Sequence, residues 1–308
     1  MVKEMKNYVG IKGLLSEIDL EEATYEKDGK THECIRGSVK VRSQFSVSKE
    51  DPNPIMIEIP IRTFVRKYTN AGGENPSYAN LKKVKDSGLS IAAVGEEKAE
   101  AVVIGGARVT MNEYPNKEGR LVTFPMINAS FINTIPRNEL KYEAKAGLSG
   151  VIVGMNVKEG KEGSEEPTRT LVISLMVVGY NEYVDVIPVM TSNPKYIDAI
   201  LATYQNGDYI ELSTRLNFSS SETVTYEEVE IGDPIEKRRT VNVSDLVLTG
   251  LKSADLGGDE IDETVIRNLL KKRDARIEEL KNKKANSSAK ADEERSKSKS
   301  KASMDLGF

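Results

Sequence analysis

The signal Asn-Pro-x-Tyr occurs twice, as Asn75-Pro76-Ser77-Tyr78 and as Asn193-Pro194-Lys195-Tyr196, each time after strand-like segments. An asparagine side chain accepts from the free N–H groups at a helix start, and proline has its φ pre-set for the first helical position. Each copy therefore predicts a helix that interrupts a run of strands. The first half reads as strands over Val9 to Leu20, Glu33 to Phe45 and Ile55 to Val65, then the helix through Tyr78, Leu81 and Val84. Strands over Ala101 to Tyr114 and Arg120 to Ile135 follow, with turns at Lys27-Asp28-Gly29-Lys30 and Pro115-Asn116-Lys117-Glu118-Gly119. The second half repeats the plan with strands at Gly147 to Lys158, Thr168 to Val178 and Tyr183 to Met190. Its helix continues through Ile197, Ile200 and Leu201, and β segments follow at Tyr209 to Phe218, Thr223 to Ile231 and Arg239 to Leu251. The order is β-β-β-α-β-β twice over, which points to a duplication. Tyr78 and Tyr196 are read as packing the two helices onto their sheets.

The inventory excludes much chemistry. A single histidine, His32, and a single cysteine, Cys34, cannot supply a four-ligand Cys/His zinc site. Cys34 alone forms no intramolecular disulfide, as befits a reducing compartment. There is neither a G-x-x-x-x-G-K-[ST] nor a G-x-G-x-x-G loop to cradle phosphates. Carboxylates cluster at Glu96, Glu97 and Glu100 and at Glu227, Glu228 and Glu230, but on single segments, the mark of a solvated face rather than a two-metal nuclease. The reading is a binding protein, not an enzyme, with no cofactor. No run approaches the ~20 apolar residues of a membrane span, and no apolar core follows Met1-Val2-Lys3-Glu4-Met5-Lys6, so a cytoplasmic chain is expected.

Charge is unevenly spread. Residues 1–140 carry 20 Lys/Arg against 19 Asp/Glu, residues 141–260 carry 11 against 20, and residues 261–308 carry 13 against 9. The middle block repels phosphate most. Residues 257–282 place Ile261, Val265, Leu269, Ile277 and Leu280 at broadly helical spacing amid mixed charge, which predicts a mostly exposed amphipathic helix that docks lightly or pairs with a partner. Residues 283–308 are rich in Lys, Ser and Ala and cannot bury enough surface to fold, so a disordered tail is expected. It ends in Met304-Asp305-Leu306-Gly307-Phe308, an apolar-acidic tip suited to engaging other proteins.

The element order is that of the OB-fold, a five-stranded barrel with a helix between its third and fourth strands. With its Lys/Ser-rich tail, the chain resembles single-stranded DNA-binding proteins, most closely the phage-encoded forms. Bacterial members end in acidic residues before Pro-Phe; here Asp305 and Phe308 match, and Gly307 stands where the proline would be. The resemblance implies a mainly β protein of two tandem OB-like barrels, residues 1–140 and 141–256, then the charged helix and the tail. It also implies sequence-independent binding of single-stranded DNA, or RNA, in phage replication or recombination. Met304, Asp305, Leu306 and Phe308 would then recruit replication or recombination proteins in the host cytoplasm. The alternative is a phage structural, assembly or adaptor protein built from β domains.

The strand faces bear on this choice. On strand two Ile35, Val39 and Val41 alternate with Arg36, Lys40 and Arg42. On strand three the face opposite Ile55, Ile57, Ile59 and Ile61 carries Arg62, Phe64 and Arg66, followed by Lys67 and Tyr68. Arg108 and Tyr114 lie opposite Val109 and Met111, and Phe124 shares a face with Val122 and Met126. Cations follow phosphates and rings stack on bases without reading sequence, so these eleven are the candidate binding residues. Lys82, Lys83 and Lys85 could extend the track. The competing reading is an ordinary wet sheet face, with Phe64 and Phe124 in the core if the register slips by one. Tyr180 and Tyr183, beside Glu182 and Asp185, are read as structural or protein-binding.

Overall fold

The computed structural model describes residues 2–45, 54–116, 118–160, 169–227, 235–253 and 262–282. The expected tail, with Met304, Asp305, Leu306 and Phe308, lies outside the described residues, as do residues 228–231 of the expected segment Thr223 to Ile231 and residues 257–261 of the charged segment.

Strands β1 (Asn7–Lys27), β2 (Lys30–Phe45) and β3 (Ile55–Arg66) form an antiparallel meander, and helix α1 (Pro76–Ser87) follows. A short α2 (Ile91–Val94) leads into β4 (Ala101–Gly105) and β5 (Arg108–Pro115), then β6 (Leu121–Asn128) and β7 (Phe131–Ile135). The two long strands expected after α1 are thus each broken in two. β3 pairs in parallel with β6 at Ile61 and Ile127, β6 pairs with β5, and β4 returns to β1. Because β4 runs on into β5, that circuit curls the first half round on itself and shields its inner face, with β7 paired to β4 alone.

The second half repeats the circuit. β8 (Glu143–Lys158), β9 (Thr170–Val178) and β10 (Val184–Thr191) form the meander, and α3 (Pro194–Thr203) stands where α1 stands in the first half. β10 then meets β12 (Ile235–Ser253) in parallel at Met190 and Val247, β12 pairs with β11 (Tyr209–Glu227), and β11 closes onto β8. Each barrel therefore has the strand connections of an OB-fold.

The predicted helix starts are realised. Asn75 Oδ1 accepts from the Ser77 N–H and Asn193 Oδ1 from the Lys195 N–H, each at 3.0 Å, with proline at the first helical position in both. Tyr78, Leu81 and Val84 bury their side chains against the first barrel, each such burial stabilising the fold by roughly 1.5–3 kcal/mol. In α3 the buried residues are Ile197 and Ile200. Tyr196 is 41% exposed, so its expected packing role is not realised.

The barrels are joined through their first strands. Asn7–Lys12 of β1 pairs antiparallel with Glu143–Leu148 of β8, while the later part of each strand pairs within its own barrel. At this seam Gly147 lies under the Tyr8 ring, where a Cβ would stand 2.2 Å from a ring carbon. A fourth helix, α4 (263–282), crosses the junction. Ile266, Leu269 and Ile277 are buried, and Arg273 and Arg276 both reach Glu113 of β5, whose side chain is only 3% exposed. Arg276 also donates to the Val184 carbonyl at 3.1 Å and stands 3.9 Å from the Tyr183 ring centroid, and Lys272 pairs with Glu182 at 2.5 Å. The charged segment is therefore packed across both barrels rather than lightly docked.

Candidate nucleic-acid interface

The outward face of β2 and β3 is built by strand alternation. Ile35, Val39, Val41, Ile57, Ile59 and Ile61 fill the core, so Arg36, Lys40, Arg42, Arg62 and Phe64 point away from it. The register sets Arg36 opposite Phe64 and Ser38 opposite Arg62, and on the far side of β3 sets Arg62 beside Asn128. Asn128 in turn faces Arg108 on β5. Gly37, with φ at +137°, permits the close approach of β1, since a Cβ there would lie 2.0 Å from the Asp19 carbonyl oxygen. Arg36, Arg62, Phe64, Ser38, Asp19 and Asn128 line one shallow depression on this face.

A bulge in β1 between Leu15 and Glu17 changes what the basic residues meet. Before it, Ile11 and Leu15 point inward; after it, Glu17, Asp19 and Glu21 stand directly opposite Lys40, Ser38 and Arg36 on the outer face. Arg36 pairs with Glu21 at 2.7 Å and Lys40 with Glu17 at 2.5 Å. Arg42 is held by Glu58 at 2.6 Å and Glu96 at 2.8 Å, and the Glu58 hydrogen bond is the main reason its guanidinium is raised above its ordinary pKa. Lys67 pairs with Glu33 at 2.9 Å, which likewise raises its pKa, and it stands 5.5 Å from the Tyr68 ring centroid. Among the described residues Arg62, Arg66 and Arg108 have no carboxylate partner. These three are the cations most available to a phosphate.

The aromatic residues divide into two groups. Phe64 is 55% exposed and meets Tyr25 edge-on at 5.3 Å, and Tyr25 stacks on His32 across the β1–β2 hairpin, also at 5.3 Å. Tyr114 and Phe124 meet edge-on at 6.3 Å at the other end of the sheet. Phe64 is thus on the wet side, and Phe124 is half-buried on the face opposite the core residues Pro125 and Ile127. Sequence reasoning missed Tyr25 and Asn128; a tyrosine seven residues before His32 across a tight Asp-Gly turn was the available signal for the first. Lys82 and Lys85 do not extend the track freely, because both pair with Glu22, at 2.5 and 2.8 Å. Those two ammonium groups, with the Tyr78 hydroxyl, hold the Glu22 carboxyl down at about 2.

Among the described residues no group of three His, Cys, Asp or Glu side chains could hold a metal ion, and no helix is long and apolar enough to cross a membrane. A family model described as YorF matches residues 6–283. The chain belongs to the YorF family. No curated protein matches it. Among solved structures it is similar to a single-stranded DNA-binding protein from Thermus aquaticus, with a TM-score of 0.52 and 11% identity, over 85% of this chain and 99% of that one. A deletion mutant of the same Thermus protein, with an arginine-to-alanine substitution, gives a TM-score of 0.50 and 13% identity over 83% and 99%. At such identities the likeness concerns the fold: this YorF member is a mainly β chain of the OB type.

Proposed function

We propose that this protein binds single-stranded DNA without regard to sequence, through the outer face of the first barrel. The observation that carries the reading is the depression where exposed Phe64 and carboxylate-free Arg62 lie side by side with Arg36, continued through Asn128 to Arg108. A ring to stack a base beside a cation to hold its phosphate is the minimal unit of sequence-tolerant binding. Arg66, Lys67 and Tyr68 prolong it past the end of β3, and Tyr114 with Phe124 offer a further aromatic pair at the far end of β5 and β6. Arg36, Lys40, Arg42 and Lys67 contribute less than Arg62, Arg66 and Arg108, since carboxylates already neutralise them. The Thermus protein named for single-stranded DNA binding supports the reading at the level of fold.

In this reading residues 1–140 bind and residues 141–256, the acidic block, serve mainly structure. Met304, Asp305, Leu306 and Phe308 recruit replication or recombination proteins, in the bacterial cytoplasm during phage growth. Fluorescence anisotropy with a labelled dT oligomer of about 30 nucleotides and its duplex, across a salt series, tests it. The single strand is expected to bind tightly and the duplex weakly, with log K falling against log salt by about 0.7 per phosphate contact. Absence of binding to either at low salt overturns the proposal and leaves the adaptor or assembly role. Deleting residues 304–308 is expected to leave oligonucleotide affinity unchanged and abolish partner pull-down.

A further inference from the structure

Between the two barrels lies a pocket of about 470 Å³, a size ordinary for small-molecule sites. Arg108, Met126 and Asn128 line it from the first barrel, and Tyr180, Tyr183 and Asp185 from the second. Its walls are fixed. The Asn128 amide donates to the Thr110 hydroxyl, and the Asn7 amide exchanges two hydrogen bonds with the Val109 backbone, at 2.8 and 2.9 Å. Asn128 also lines the β2–β3 depression, so the two concavities meet at one side chain.

Three features of the pocket go unused by the fold. Arg108 has no carboxylate partner among the described residues. Tyr180 is 69% exposed, presented by a turn in which both Asn181 and Glu182 adopt left-handed backbone angles, φ 56° and 55°. Glu182 of that turn is held by Lys272 of α4 at 2.5 Å, which leaves Tyr180 alone of the Tyr180–Glu182 side chains facing outward over the pocket. One carboxylate oxygen of Asp185, a residue 5% exposed, has no hydrogen-bond partner among the described residues.

We propose that this pocket takes one unstacked nucleobase of a strand lying on the β2–β3 face, with Tyr180 and Tyr183 against the base and Arg108 on the adjoining phosphate. The inference rests on the proposed DNA-binding function and assigns the second barrel a direct contact. All four bases carry an N–H donor on the pairing edge, so an acceptor such as Asp185 would not select among them.

Photo-cross-linking tests it, with 5-iodouracil placed at successive positions of a dT oligomer of about 30 nucleotides and the linked peptides read by mass spectrometry. The expected result is a cross-link on Tyr180 or Tyr183, and a Tyr180→Ala variant that binds about tenfold more weakly and loses it. Cross-links confined to Tyr25, Phe64 or Tyr68, with Tyr180→Ala binding like the parent, overturn the pocket but leave the face. Failure of the parent protein to bind any oligomer overturns both. Because Tyr180 is so exposed, its loss does not threaten the fold.

Discussion

The two barrels share one circuit of strands and almost none of its surface chemistry. β2 and β3 carry eight charged residues, whereas β9 and β10 carry one, Asp185, and it is buried. Where the first barrel turns Arg36, Arg62 and Phe64 outward, the second turns Val172, Ser174, Val186 and Pro188, all half-buried. The inward residues of both are mostly Ile, Val and Leu. A barrel constrains only its inner positions, so a duplicated copy can exchange its outer face for another while keeping its fold.

The largest test of that contrast concerns Asp185. Burial is the leading cause that pushes its carboxyl up to about 6, against an ordinary value of 3.8, with Glu113 adding to the rise and Arg276 and Arg273 opposing it. Tyr183 also faces it. The folded chain thus holds a proton that the unfolded chain releases, so the contribution of Asp185 to stability is full below about pH 4 and falls as pH rises to about 6, by about 3 kcal/mol. Asp185→Asn is expected to remove that fall in urea unfolding at a series of pH values; an unchanged fall would assign it to another group.

Next in size, Phe64→Ala is expected to weaken oligonucleotide binding by about 1–3 kcal/mol. Val186→Ala, on the outward face of β10, should leave affinity within about twofold, and equal losses in the two variants would erase the distinction between the faces. Glu21→Gln frees Arg36 and should tighten binding by less than about 1 kcal/mol while steepening the log-salt slope by about 0.7. A slope left unchanged would mean that Arg36 meets no phosphate. Smallest is Lys40→Ala, whose ammonium is already engaged by Glu17; the same titration should show a change within about twofold.

Much of the fold was legible in the residues. The Asn-Pro helix starts placed α1 and α3, and the period-two isoleucines fixed which face of β3 is inside, so Phe64 was correctly expected on the outside. The acidic stripe was not legible, because a bulge costs one residue and leaves no mark in composition, yet it moves Glu17, Asp19 and Glu21 to the other side of β1. The docking of α4 was hidden in a similar way. Arg273 and Arg276 look like solvated charges until a buried Glu113 on a strand 160 residues earlier is brought to them. The inter-barrel pocket draws on residues 4 to 185, a union that only the tertiary fold creates.

The pairing of β1 with β8 has one more consequence. Each barrel lends the opening stretch of its first strand to the other, so the molecule is an internal dimer with the stoichiometry written into the gene. Severing the chain near residue 140 would bare the open backbone of Asn7–Lys12 on one product and Glu143–Leu148 on the other. Such bare edges seek any strand that will pair with them. The heritable unit is therefore the couple, and a half expressed by itself is expected to be sticky, recovering good behaviour when the missing half is supplied as a separate chain.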